Sequence, residues 1–188
     1  MKITHAKYPL YLMLGGVINL GFRAITFAAE NSDASANYAA VKENAATQYK
    51  INRAKCDALV GNPKDVCIAE AKRDLTRTRA EAESAFKGSD KARASARKEI
   101  ANANYDVAKT RCKSLTGNDK DVCLKQAKSA QVGALADAKA DLKVAAIRKE
   151  AAEDKMDAEY KVAKEKCDGL AGEAKDGCLK QVKTRFSK

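Results

Sequence analysis

Three copies of one motif limit what this chain can fold into. The stretch YDVAKTRCKSLTGNDKDVCLKQAK, Tyr105 to Lys128, recurs in register in segments that begin at Tyr49 and Tyr160. Each copy has a Tyr seven residues before a Cys, a Leu three after it, a Gly five after it and a second Cys eleven after it. Between the Gly and the second Cys stands a Lys-Asp pair: Lys64-Asp65, Lys120-Asp121 or Lys175-Asp176.

In a continuous helix eleven residues span roughly 16 Å, far beyond the ~7 Å Cα separation a disulfide tolerates. The chain must therefore reverse between the cysteines if they pair. Gly61, Gly117 and Gly172 can take the left-handed conformation that ends a helix, with the Leu two residues earlier in its last turn. Restart signals follow. Asn62 suits an N-cap, Pro63 the first helical position, and Asp65 can answer free amides of the first turn. Asn118 and Asp121 repeat the device, whereas Gly172-Glu173-Ala174 caps more weakly. Six cysteines allow fifteen connectivities, but the threefold register favours pairing within copies: Cys56 with Cys67, Cys112 with Cys123, Cys167 with Cys178. The matching tyrosines share a helical face with the Cys and Leu and read as packing along the same seam.

Composition supports staples. The 188 residues include no Trp, four Phe and an abundance of Ala, Lys, Glu and Asp. Such a chain is helical but thinly provided with core, since alanine contributes helix propensity rather than burial, and weak cores use disulfides.

Residues 1–29 differ from the rest. Lys2 and Lys7 precede an apolar run from Tyr8 to Phe22, and AITFAAE then offers small residues to a peptidase. This reads as a secretory signal peptide cut after Ala28 or Ala29, with an uncleaved membrane anchor as the alternative; the run is shorter than the ~20 residues a span needs. Export and paired cysteines agree, because disulfides persist in oxidising compartments such as the periplasm.

Residues 30–37 are polar and read as a flexible start. A helical hairpin over 38–86, a second over 87–142 and a third over 143–188 follow, with breaks at Gly61, Lys87-Gly88-Ser89-Asp90, Gly117 and Gly172. Ser89 or Asp90 caps the third helix, whose apolar stripe carries Ile100, Val107 and Leu115. After Asn118 no breaker appears until Gly169, which predicts one helix of about fifty residues, nearly 80 Å long. Leu135, Leu142, Met156, Ala163 and Leu170 form a seven-residue ladder, accompanied by Ala138, Ala145 and Ala152 and broken by Lys149; this is a coiled-coil seam. The expected fold is all-α: an elongated antiparallel helical bundle with coiled-coil character, built from three disulfide-linked hairpins.

The chemistry-bearing residues are few. His5 is the only histidine and lies in the leader, so a nucleophile-base pair has no base. No CxxC or CxxCH occurs, each copy holds only two potential metal ligands eleven residues apart, and no Gly-rich phosphate loop is present. Carboxylate pairs such as Glu153-Asp154 sit within helical charge patterns. These features point away from an enzyme, a cofactor or a metal.

Charge is the remaining signal. From Glu30 on the chain keeps 33 Lys and Arg against 25 Asp and Glu, a net of +8. Most charges alternate in sign, as on solvated helix faces. Two places are one-sided: Lys72, Arg73, Arg77 and Arg79 surround only Asp74, and Lys180, Lys183, Arg185 and Lys188 close the chain without an acid. They are candidate anion-binding segments, for anionic lipid, lipopolysaccharide or an acidic protein in preference to nucleic acid.

The pattern Y-x-[VI]-x-x-x-[KR]-C-x-x-L-x-G-x-x-K-D-x-C, as in YKVAKEKCDGLAGEAKDGC, resembles exported Ala/Lys-rich repeat proteins of proteobacteria that carry TolA-like or cell-envelope labels. The resemblance covers nearly all of the chain after Glu30. It implies an envelope location and no active site; the C-terminal globular domain of TolA itself is absent. The function expected is therefore a non-enzymatic periplasmic scaffold, or alternatively a basic holdase similar to the helical tentacle chaperones of the periplasm, or a protein that binds the anionic envelope.

Overall fold

The computed structural model describes residues 26–188, with side chains described from residue 32. Most of the leader read over 1–29, His5 included, lies outside the described residues. Five α-helices follow one another: α1 (Thr26–Lys55), α2 (Gly61–Lys87), α3 (Asp90–Arg111), α4 (Gly117–Asp168) and α5 (Gly172–Phe186). The fold is the expected all-α antiparallel array of disulfide-linked hairpins, and no strand occurs among the described residues. α1 already covers residues 30–37, where the sequence suggested a flexible start.

Each helix packs on its neighbours in sequence, α1 on α2, α2 on α3, α3 on α4 and α4 on α5. The first four helices thus form an open row in place of a closed bundle. α2 and α3 are covered on two sides, and α1 and α4 form its edges. The long helix is confirmed at 52 residues. Its first half lies along α3, tied there by an Arg97–Asp141 ion pair and by a 2.8 Å hydrogen bond from Gln131 Nε2 to Asn102 Oδ1. Its last part is met by α5, which returns until Lys188 Nζ lies 2.7 Å from Asp157 Oδ1.

Alanine forms the core, contrary to the expectation that it would contribute only propensity. Ala45, Ala71, Ala80, Ala94, Ala96, Ala101, Ala127 and Ala138 are buried, with Val107, Phe186 and three of the cysteines. A methyl group buries little by itself, but small side chains let helices approach closely, and the contact area then comes from many shallow contributions. Ala96 faces α2 and Ala94 faces α4, so α3 spends two alanine faces on its two neighbours.

The coiled-coil seam holds only where a second helix is present. Leu135, Leu142, Ala145 and Ala163 are half-buried and Ala138 is fully so, but Ala152, Met156 and Leu170 are exposed. Residues 146–159 form a continuous exposed stretch of α4. Lys149, the charge that breaks the ladder, borders the C-terminal end of α5 at Phe186 and Lys188.

At the far end of the first hairpin Tyr38 stacks on Phe86, with ring centroids 4.8 Å apart. Gly88 then ends α2 at φ +61°, and the Ser89 hydroxyl accepts a 3.1 Å hydrogen bond from the Ala92 amide, as expected of an N-cap.

Candidate functional site

The three Cys hairpins are the repeated feature and form as the register predicted. Cys56–Cys67, Cys112–Cys123 and Cys167–Cys178 are bridged with Cα separations of 5.6, 5.7 and 5.7 Å. All six cysteines are consumed. The first Cys of each pair is fully buried.

The turn between them differs from the expected one. In the first two copies a 3-10 turn, Cys56–Ala58 or Cys112–Ser114, closes the leading helix, and two extended residues follow before the Gly. Leu59 and Leu115 are the first of these and are exposed, so the Leu is outside the last helical turn and Leu115 leaves the α3 stripe on which Ile100 and Val107 remain. Gly61, Gly117 and Gly172 are left-handed, at φ +62°, +54° and +57°, but they open the second helix of each hairpin and do not close the first. Asn62 is not the N-cap. That place is taken by the extended Val60, and the Asn62 Oδ1 is buried with no hydrogen-bond partner.

The Lys of the Lys-Asp pair has a role that single-copy reasoning missed. Lys64 Nζ lies 3.1 Å from Asp57 Oδ1, and Lys175 Nζ lies 2.9 Å from Asp168 Oδ1. In both copies the acid directly follows the first Cys. The ion pair therefore spans the turn beside the disulfide. Arg53, 2.9 Å from Asp57, adds a second cation there. The Arg53 guanidinium foremost, then the Lys64 ammonium, holds the Asp57 carboxyl below its ordinary range, and Lys175 does the same for Asp168. The second copy has Lys113 after its Cys, and Lys120 has no acid there to meet. Comparing that position among the three copies was the signal available in the sequence.

The tyrosines pack along the hairpins, all three half-buried. Tyr160 meets the buried Phe186 edge-on at 5.8 Å, and Lys128 Nζ lies 5.4 Å from the centroid of Tyr105. Lys128 has a Lys at the same place in every copy, five after the second Cys: Lys72, Lys128 and Lys183.

The two basic segments fare differently. On α2, Lys72 and Arg79 are seven residues apart and share a side, but Arg77 lies about 140° round from Lys72. Arg73 is half-buried and spends its guanidinium on Asp74 at 2.8 Å. Lys72 and Arg73 border a groove of about 640 Å³ between α2 and α3, which Lys109 and Lys113 and the acids Asp65, Glu99 and Asp106 also line. The structure thus does not bring Lys72, Arg73, Arg77 and Arg79 together as one basic surface. On α5, Lys180 and Lys183 share a side with the terminal Lys188 around one shallow cleft, which Asp176 also lines. Arg185 falls on another side, against the face of Phe186. Lys188 is paired with Asp157, which raises its own pKa and lowers that of the carboxyl.

No described helix is long and apolar enough to cross a membrane. Three formed disulfides point to an oxidising compartment, extracellular or periplasmic. Comparison of the chain with known protein families, with curated proteins and with solved structures found no match.

Proposed function

We propose that the protein is a non-enzymatic helical scaffold exported to the periplasm, where it holds two cross-linked modules a fixed distance apart. The observation that carries this reading is α4: one 52-residue helix joins the α1–α4 row to the last hairpin through an exposed run, residues 146–159, whose later part Phe186 and Lys188 of α5 border. A spacer needs a stiff connector and ends that do not fray. The bridges at Cys112–Cys123 and Cys167–Cys178 supply the second, at both ends of α4. The leader motif and the Cys-hairpin resemblance support export to the cell envelope. Affinity capture from envelope extract after cross-linking tests the proposal. A stoichiometric envelope component recovered with the intact chain, and lost when residues 146–159 are deleted, supports it. Suppression of client aggregation with no such component would support a holdase instead.

The cleft of Lys180, Lys183 and Lys188 favours a second reading, attachment of one end to an anionic envelope surface. The α2 segment contributes less to it, because Arg73 is paired with Asp74 and Arg77 lies on a different side from Lys72.

A further inference from the structure

α4 is two repeat helices written as one. Cys67 and Cys112, on either side of the α2–α3 link, are 45 positions apart, and Cys123 and Cys167, both on α4, are 44 apart. The first half of α4 is therefore the counterpart of α2, and its second half the counterpart of α3. Between α2 and α3 the chain reverses at Lys87-Gly88-Ser89-Asp90, where Gly88 is left-handed and Ser89 caps α3. The corresponding residues, 56 further on, are Lys143-Val144-Ala145-Ala146. Neither a helix end nor a cap is encoded there, and α4 runs straight through.

The interface that this turn creates is nevertheless repeated. α3 turns Ala92, Ala96 and Ala103 to α2, with the buried Val107 on the same side. Their counterparts, 55 residues on, are Ile147, Ala151, Ala158 and Val162, all apolar and all exposed. α2 answers with Ile68, Thr76, Ala80 and Ser84. The counterparts of those, 56 residues on, are Leu124, Val132, Ala136 and Ala140; Leu124 is half-buried and the other three are exposed. Eight positions of the α2–α3 interface thus recur on α4 as eight apolar residues, although a helix face that only meets water carries charge. We propose that α4 is a fused hairpin: its two halves keep a latent copy of the α2–α3 interface, which Val144 and Ala145 hold open by continuing the helix where Gly88 and Ser89 turn it. The exposed stripe then has its complement within the same helix. The copies differ most where Lys125, Lys155 and Lys161 stand for Ala69, Ile100 and Asp106, which adds cations to the seam and makes the latent pairing weaker than the α2–α3 one. Fold-back depends on α4 alone, so it stands whether or not the protein spaces two modules in the envelope.

Val144→Gly with Ala145→Ser, which supplies the Gly-Ser of the α2–α3 link, tests the proposal in the oxidised full chain. Lys128 and Lys161 are about 50 Å apart along a straight helix. Their counterparts Lys72 and Asp106 line one groove, so a folded-back α4 brings the two lysines within a helical turn of each other. A short amine-reactive cross-linker should join Lys128 to Lys161 within one chain of the variant and not in the wild type, while circular dichroism shows the helix content retained. Adding Val162→Asp should lower the yield of that link about tenfold, since the latent pairing loses a buried apolar side chain. Val162 is 57% accessible in the straight helix, so Val162→Asp alone leaves the helix content of the wild type unchanged. Absence of the Lys128–Lys161 link in the Gly-Ser variant overturns the proposal, as does unravelling of α4. A link whose yield Val162→Asp leaves unchanged also overturns it, because a slack hinge without an interface gives that result. A link found only between isotopically distinguished chains overturns it in favour of association between copies.

Discussion

Lys64 reaches back across the first hairpin turn to Asp57, 3.1 Å away and one residue past the bridged Cys56. The third hairpin repeats the contact and the second cannot, having Lys113 at the acid's place. Lys113→Asp should therefore restore the missing pair and stabilise the second hairpin by about 0.2–1 kcal/mol, as exposed ion pairs do. Urea denaturation should give a higher midpoint in low salt, with the gain lost in molar salt. An unchanged midpoint at low salt would mean that the turn of the second copy does not bring residues 113 and 120 into reach.

The same pairs set a pH dependence. The folded Asp57 and Asp168 carboxyls titrate below their ordinary 3.8, so their contribution is full above that value and is lost as pH falls through the lower folded one. Lys175 titrates above its ordinary 10.5, so its contribution is full below that value and is lost as pH rises through the folded one. Stability of the third hairpin should decline at both extremes. Asp168→Asn should remove this pair's part of both declines, leaving a flatter profile of melting temperature against pH.

Removing the last bridge by Cys167→Ser with Cys178→Ser should destabilise the third hairpin by about 3 kcal/mol in the chain-entropy view of an eleven-residue loop. α5 has only α4 for a neighbour and buries only Phe186. Its 15 residues should exchange their amide protons fastest in the variant, while the alanine core of α1–α3 keeps its protection. Uniform loss of protection across all five helices would show that the hairpins unfold as one unit.

Binding to anionic vesicles at low salt should depend on Lys180 and Lys183 and hardly on Arg185. Each basic residue near an anionic surface contributes about 1 kcal/mol, and the first two share a cleft from which Arg185 is turned away. Co-sedimentation of Lys180→Gln with Lys183→Gln, compared with Arg185→Gln, checks this; equal losses would show that net charge alone matters. The Arg77→Gln variant should bind as the wild type does.

The disulfide pairing and the 52-residue helix were legible because both are periodic signals: a triplicated spacing, and the absence of a breaker after Asn118. The turn chemistry was not. Gly61 followed by Asn62 and Pro63 reads equally as the end of one helix or the start of the next, and only the extended conformation of Leu59 and Val60 decides between them. Ala71 and Ala127 were missed as core because alanine is frequent on exposed and buried faces alike, so its periodicity is drowned by its abundance. Lys72, Arg73, Arg77 and Arg79 were adjacent in sequence but dispersed in space, since clustering along a helix is not clustering on a side. Ile147 and Val162 belong to a stripe that the stronger Leu ladder concealed.

The exposed run of α4 also makes the molecule a ruler with a phase. Every bridge closes a loop of eleven residues, and none ties the chain before residue 146 to the chain after 159. Inserting residues at 146–148, ahead of the part that Phe186 and Lys188 border, would lengthen the separation by about 1.5 Å each and rotate the last hairpin by about 100° each. An eighteen-residue insertion, five whole turns, moves it about 27 Å along the axis and leaves its azimuth as it was. Distance and facing direction between the two modules are thus set by the length of one helix.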